Sequence, residues 1–144
     1  MSLREFCDKK VINISPGANI LEACRLMKEN KVGCVIVQER QKLCGMLTDR
    51  DIALKVTGEN RDPRQTKVCE VMSRSPVRIQ VDSDLEHLTN LMRVHHVRRV
   101  PIVDGIDEAM GIVTMDDVLA RMSAEFYDLG NVIAQAPVAT SEYE

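Results

Sequence analysis

Two copies of a short segment, Gly-apolar-apolar-Thr-x-x-Asp, lie at Gly45–Asp51 and Gly111–Asp117. In each copy an apolar strand pattern ends near the threonine, and a helical pattern begins there. A threonine hydroxyl and unpaired backbone N–H groups at a helix N-terminus suit an anion such as phosphate. A carboxylate one turn into the helix can accept hydrogen bonds from both hydroxyls of a ribose. The segments are therefore candidate binding sites for phosphate and ribose.

The same spacing also has a purely structural interpretation. Thr-x-x-Asp is close to a capping box, in which side chain and backbone of the first and fourth residues bond reciprocally. Thr48 with Asp51, and Thr114 with Asp117, could therefore simply cap two helices. Repetition does not decide between the two interpretations, because a duplicated cap would also repeat.

These segments belong to a longer internal repeat. Leu26–Met27 recurs 65 residues later as Leu91–Met92, and Gly45–Asp51 recurs 66 residues later, because the second copy gains one residue in a loop. The repeat divides the chain into four predicted parts. They are a first motif at residues 1–60, a linker at 61–67, a second motif at 68–125, and a C-terminal helix end with a loosely ordered tail at 126–144.

Each half shows the same order of predicted elements: strand, helix, strand, strand, helix. The predicted strands lie at Val11–Ile14, Cys34–Val37, Leu43–Leu47, Val77–Val81, Val100–Val103 and Met110–Val113. Apolar stripes predict helices at Ile20–Met27 and Leu85–Met92, and further helices begin at Thr48 and Thr114, the last of them covering Asp116–Leu129. Ser83 and Glu86 predict a capping box at the start of the third helix.

This alternation predicts an α/β (α+β) fold of two units, each with a small mixed sheet and two helices. Neither half has enough elements to bury both faces of its own sheet. We therefore expect the two copies to pack together through their sheets, with pseudo-two-fold symmetry.

Composition excludes several classes of function. The net charge of −3 and the aromatic content of 3% disfavour a nucleic-acid partner, which needs basic patches and stacking platforms. No apolar run approaches the roughly 20 residues that cross a membrane, and the N-terminus lacks the apolar core of a signal peptide. Five widely spaced cysteines suggest reduced thiols. We expect a soluble cytoplasmic protein.

Catalysis is also disfavoured by the sequence. It shows no nucleophile–base pair, no metal-spaced cluster and no glycine-rich phosphate loop. His95 and His96 are adjacent on a predicted helix and face different ways, which argues against a metal site. We expect a protein that is not an enzyme, with no catalytic cofactor and no bound metal.

At this point a family resemblance becomes specific. Val100–Asp104 followed by Gly111–Asp117 resembles the second motif of a tandem CBS-domain pair, also called a Bateman module. Lys67–Met72 is similar to the usual entry to that motif, and Gly45–Ala53 resembles the end of the first motif. The resemblance covers roughly residues 6–122, and the duplicated order of elements is its most specific feature.

The resemblance implies a regulatory, non-catalytic module that binds an adenosyl ligand in clefts between the two motifs. The ligand would be an adenine nucleotide (AMP, ADP or ATP) or S-adenosylmethionine. Asp117 and Asp51 would bind ribose hydroxyls, and Thr114 and Thr48 would face phosphate or ribose. Four apolar side chains would flank the adenine: Val11, Val32, Val77 and Ile112. Backbone groups near Gly33 and Arg98 would bind the edge of the adenine ring.

The two copies differ at the position where family members that bind phosphorylated nucleotides carry a basic residue. The second copy has Arg98 and Arg99 there, whereas the first has Gly33 and Cys34. We therefore predict an asymmetric module. The cleft at Asp117 should bind a nucleotide well, and the cleft at Asp51 should be weaker, empty or suited to a less charged adenosyl ligand. Taken alone, the arginines could also be a solvated cluster at a helix C-terminus.

The resemblance also implies a homodimer and an effector protein that the sequence does not identify. The helix that ends each half carries apolar residues that are candidates for the dimer interface: Ile52, Val56, Val118, Leu119 and Met122. The alternative function is a dimerisation scaffold that binds no ligand. Neither a nucleic-acid partner nor a membrane is expected.

Overall fold

The protein is described by a computed structural model that covers residues 1–7 and 10–135. Seven strands form two sheets. The strands are β1 (Asn13–Ile14), β2 (Cys34–Glu39), β3 (Lys42–Thr48), β4 (Ser73–Arg74), β5 (Ile79–Gln80), β6 (Arg99–Val103) and β7 (Ala109–Thr114). The four α-helices are α1 (Ile20–Asn30), α2 (Asp49–Ile52), α3 (Leu85–His95) and α4 (Met115–Gln135).

Both sheets are mixed, as the sequence predicted. The first has the strand order β1-β2-β3-β4 and the second β5-β6-β7. In each, the first strand pairs parallel with the second, and the second pairs antiparallel with the third. The repeat in sequence is therefore a repeat in topology, and the predicted fold class is confirmed.

The helix that opens each half is held by a side-chain cap at its N-terminus. The Asn19 side chain accepts a hydrogen bond from the Glu22 N–H at 2.9 Å, and Asp84 accepts one from the His87 N–H at 2.8 Å. The predicted Ser83–Glu86 capping box is wrong, because the carboxylate one residue later reaches the third N–H of α3 and takes the capping role.

The protein has one hydrophobic core in each half and a third cluster between them. The third cluster joins buried residues of the first sheet to Val103 and Ala109 of the second. Its first-sheet members are Cys34, Ile36, Leu43 and Met46. This cluster confirms that the halves pack through their sheets.

Short lead-in segments exchange between the halves. A 3-10 turn at Leu3–Cys7 opens the first motif, yet Leu3 is buried in the core of the second half with Ile79 and Leu88. Conversely, the 3-10 turn at Val68–Glu70 opens the second motif, yet Val68 is buried in the core of the first half. The core of each half is therefore completed by the lead-in segment of the other half.

The C-terminal helix is longer than predicted. α4 runs to Gln135, past the predicted end at Leu129, so residues 131–135 of the predicted loose tail are helical. The remainder of that tail, residues 136–144, lies outside the described residues. Within the described ranges, no helix has the length and apolar character needed to cross a membrane.

Candidate functional site

The two Thr-x-x-Asp segments form complete capping boxes. Asp117 N–H donates to Thr114 Oγ1 at 3.0 Å, and Thr114 N–H donates to Asp117 Oδ2 at 3.2 Å. Thr48 and Asp51 form the same pair of bonds at 3.1 and 3.0 Å. The structural interpretation is thus confirmed for both segments. It does not exhaust them, because each aspartate has a second carboxylate oxygen.

A central cavity of about 580 Å³ brings together residues from both halves. Thr48 and Thr114 line it, and so do Arg98 and Arg99. Met46, Val97 and Asp116 complete the lining. Two threonine hydroxyls and two guanidinium groups at one cavity suit an anionic group such as phosphate.

Strand pairing explains how the arginines reach this cavity. Arg99 lies opposite Thr114 in the antiparallel pair β6–β7, and the Met115 N–H donates to the Arg98 carbonyl at 2.8 Å. Both arginine side chains are exposed, so they can reorient toward a ligand. The basic cluster is therefore held by its backbone beside the start of α4, while its charged ends remain mobile.

A second cavity of about 630 Å³ lies on the other side of the Thr114–Asp117 box. Asp117 and Ile112 line it together with Glu5, Phe6, Ala120, Arg121 and Ala124. The alanines fall four residues apart on α4, so their small side chains leave room along one helix face. Within the part of the chain that the structure describes, Asp117 Oδ1 accepts no hydrogen bond.

In the first half, a lysine lies beside the carboxylate oxygen of Asp51 that corresponds to Asp117 Oδ1. Lys55 Nζ lies 3.1 Å from Asp51 Oδ1 and donates to the Val71 carbonyl at 3.1 Å. Asp51 Oδ2 already accepts the Thr48 N–H. Both carboxylate oxygens of Asp51 are therefore engaged, whereas Asp117 has one that no described residue contacts through a hydrogen bond or ion pair.

The predicted adenine-flanking residues are only partly brought together. Val11 and Ile112 both pack against the cluster between the sheets. Val32, at the end of α1, and the half-buried Val77 line neither of the two cavities. Two of the four predicted flanking residues therefore share a neighbourhood, and only Ile112 faces a cavity.

Gly33 lines neither cavity. Its carbonyl accepts the Asp49 N–H at 2.9 Å, and a Cβ there would lie 2.8 Å from Oδ2 of the exposed Asp49 side chain, which would have to shift. Arg98 is its counterpart, since its carbonyl receives the equivalent bond from Met115. The two backbone positions are thus matched, although only the one at Arg98 lines the central cavity.

Sequence reasoning missed four residues near the aspartates: Lys55, Arg121, Glu5 and Phe6. One signal for the first two was present, because each follows its aspartate by four residues and so lies one helical turn away. Glu5 and Phe6 carried no such signal, since they belong to the first motif in sequence yet line a cavity of the second.

Two of the proposed interface residues are not on the surface. Val56 is 2% exposed and Val118 is 4% exposed, each in the core of its own half. Val56 belongs to the same buried cluster as Ile20 and Met27 of α1, and Val118 to the same cluster as Leu88 and Met92 of α3. Leu119 and Met122 are exposed, and Ile52 is partly buried.

Cys34 begins β2 in the cluster between the sheets. Its burial raises the pKa of the thiol to about 11, against a partly opposing effect of the Arg99 charge. Cys24, Cys44 and Cys69 also carry free thiols. In the described ranges, no three His, Cys, Asp or Glu side chains converge on a point where a metal ion could bind.

Comparison with known proteins places these features in a family. Residues 3–58 and 68–124 each match the model of the CBS domain. The CBS domain-containing protein YhcV of Bacillus subtilis is 44% identical over 125 residues, which cover 86% of this chain and 88% of that protein.

Solved structures share the fold. The CBS domain pair of protein MJ0100, in complex with 5′-methylthioadenosine and S-adenosyl-L-methionine, superposes with a TM-score of 0.76 at 24% identity, covering 87% of this chain and 98% of that one. The CBS domain protein PAE2072 from Pyrobaculum aerophilum, complexed with AMP, gives a TM-score of 0.73 at 20% identity, over 81% and 89%. The chain therefore belongs to the CBS domain family, with two tandem CBS domains that pack through their sheets.

Proposed function

We propose that the protein is a non-catalytic sensor that binds an adenosyl ligand beside Asp117. The observation that carries this proposal is Asp117 Oδ1, which accepts no hydrogen bond from the described residues. Asp117 lines the cavity of about 630 Å³, and Thr114 of the same capping box lines the basic cavity of about 580 Å³. Two ribose hydroxyls are hydrogen-bond donors that a carboxylate can accept together.

The chemistry of the two cavities matches the two ends of a nucleotide. Ile112 and Phe6 offer apolar surface for the adenine. Thr114 and Thr48 offer hydroxyl donors, and Arg98 and Arg99 offer cations, where a phosphate would lie beyond the ribose. The ligand class is AMP, ADP, ATP or S-adenosylmethionine, and the basic cavity favours a phosphorylated member.

The solved structures of the same fold support the ligand class. MJ0100 holds 5′-methylthioadenosine and S-adenosyl-L-methionine, and PAE2072 holds AMP. A ligand between two packed motifs binds most tightly to one relative arrangement of them, and so shifts the population toward that arrangement. An effector protein would sense this shift.

We also propose that the protein is a homodimer assembled through α4. Five of its exposed apolar residues recur at alternating spacings of three and four, the pattern of a coiled-coil seam. They are Leu119, Met122, Phe126, Leu129 and Ile133, whereas the exposed Tyr127 and Val132 lie off this spacing. Two-fold pairing is the commonest arrangement of soluble oligomers, and a self-complementary seam suits it.

This seam also favours a second candidate function, a dimerisation scaffold without a ligand. Isothermal titration separates the two. The sensor function predicts saturable binding of at least one among AMP, ATP and S-adenosylmethionine by the wild-type protein. If none of them binds to the folded protein, the sensor function is wrong and the scaffold remains.

A further inference from the structure

Each half carries a basic side chain four residues after its aspartate: Lys55 after Asp51 and Arg121 after Asp117. One helical turn separates the members of each pair, so either cation can reach its aspartate. Only Lys55 does so, with Nζ 3.1 Å from Asp51 Oδ1. Arg121 instead places Nη2 3.2 Å from Glu5 Oε2.

The reason for this difference lies in the lead-in segments. Glu5 recurs 65 residues later as Glu70. Both acids accept a backbone N–H from three residues earlier, Glu70 from Lys67 at 2.7 Å and Glu5 from Ser2 at 3.3 Å. Glu70 differs because Arg61 Nη2 also donates to it, at 2.9 Å. The acid that draws Arg121 away in the second half is therefore unavailable to Lys55 in the first.

Lys55 has a second contact that an ordinary surface ion pair would lack. It donates to the carbonyl of Val71, the repeat counterpart of Phe6, which lines the Asp117 cavity. The ammonium group thus lies between the helix and the lead-in segment, where the equivalent elements of the second half border the cavity. The Asp51 side chain is 16% exposed, which limits how easily solvent competes for it.

We propose that Lys55 is a specificity-determining residue that keeps the first cleft from binding an adenosyl ligand, so that the chain binds one ligand and not two. The inference rests on the proposed function of the Asp117 cleft. A ribose at Asp51 would first have to displace an ammonium group that forms an ion pair with Asp51 and donates a hydrogen bond to the Val71 carbonyl. Removing Lys55 should raise the affinity of the first cleft about tenfold or more, the usual effect of one charged hydrogen bond.

The test is the stoichiometry of adenosine binding, measured by isothermal titration on proteins whose folding is verified by circular dichroism. Adenosine is the probe because the first cleft has Gly33 and Cys34 where the second has arginines. We expect one site in wild type, two in Lys55→Ala, none in Asp117→Asn, and one regained in the double variant Lys55→Ala/Asp117→Asn.

Two further variants test where the regained site lies and whether charge alone creates it. Adding Asp51→Asn to the double variant should abolish the regained binding. Lys28→Ala removes an exposed lysine from α1 of the same half and should leave the wild-type stoichiometry unchanged.

The outcomes separate this inference from the proposed function. If wild type binds adenosine but the double variant does not, the role of Lys55 is wrong and the Asp117 site stands. If wild type does not bind but Lys55→Ala does, the role of Lys55 is supported and the Asp117 site is wrong. If no variant binds, both are overturned.

Discussion

The Arg98 guanidinium lies 3.4 Å from the Asp116 carboxylate at the edge of the central cavity, and both side chains are largely exposed, at 70% and 80%. An exposed pair of this kind contributes little to stability, because solvent and salt screen it. Its partners can therefore separate at little cost. Arg98 can exchange a weak contact with a carboxylate for a stronger one with a phosphate.

We expect the variant Arg98→Ala/Arg99→Ala to lose affinity for AMP and ATP by roughly tenfold or more, since charge-assisted hydrogen bonds to phosphate are lost. Its affinity for adenosine should change little, because adenosine carries no phosphate. Titration calorimetry with the three compounds measures both effects. Arg25→Ala/Lys28→Ala, which removes two exposed cations from α1, is the control for net charge. An equal loss for adenosine would contradict a phosphate role for the two arginines.

Arg78 connects the two halves and should therefore stabilise the packing of one half against the other. Its Nη1 donates to the Leu43 carbonyl at 3.3 Å and pairs with Asp107, which also accepts the Leu43 N–H at 3.0 Å through its backbone carbonyl. Arg78→Met should lower the free energy of unfolding by about 1–3 kcal/mol, as for other part-buried hydrogen bonds to charged groups. Urea denaturation measures it. An unchanged midpoint would contradict a stabilising role for Arg78.

The exposed seam of α4 predicts a specific effect on assembly. Phe126 and Leu129 are 69% and 62% exposed in the single chain, and a charge at either would be buried in the dimer. Phe126→Glu and Leu129→Glu should convert a dimer to a monomer in sedimentation experiments. Tyr127→Glu is the matched control, because Tyr127 is equally exposed but lies off the three-four spacing. A wild-type monomer, or a dimer unaffected by either seam variant, would exclude this interface.

Cys34 predicts a dependence of stability on alkaline pH. Burial raises the pKa of its thiol from 9.0 to about 11, so the folded protein retains this proton over a range where the unfolded chain loses it. The stabilising effect of the buried, protonated thiol is complete below pH 9. As the pH rises to about 11 this effect is lost, which lowers the free energy of unfolding by up to roughly 2–3 kcal/mol. The difference in unfolding free energy between wild type and Cys34→Ala should therefore shrink across this range. A constant difference would contradict the raised pKa.

The sequence predicted the fold well because its signals were local and repeated. The strand periods, the stripes of α1 and α3 and the Thr-x-x-Asp caps each follow from neighbouring residues, and duplication reinforced every one of them. The Ser83 cap failed because Asp84, the next residue, competes for the same N–H groups. Such a one-residue choice depends on backbone geometry that the spacing does not contain.

The differences between the Asp51 and Asp117 sites were harder to predict from the sequence, because they arise from contacts between residues that are far apart in the chain. Arg121 and Lys55 have the same spacing to their aspartates, and only the engagement of Glu70 by Arg61 explains why they pair differently. Glu5 and Phe6 reach the second half through the exchange of lead-in segments. The burial of Val56 and Val118 is also a tertiary property, since a helical stripe does not say which of its members face the core.

The most direct test of the sensor function compares Asp117→Asn with Asp51→Asn in titrations with AMP. Asparagine keeps the side-chain oxygen that caps the helix, so both variants should fold, and each removes the same charge. We predict that Asp117→Asn weakens AMP binding by about tenfold or more, while Asp51→Asn leaves it within about twofold of wild type. Equal affinities in both variants and wild type would contradict the assignment of the ribose site to Asp117.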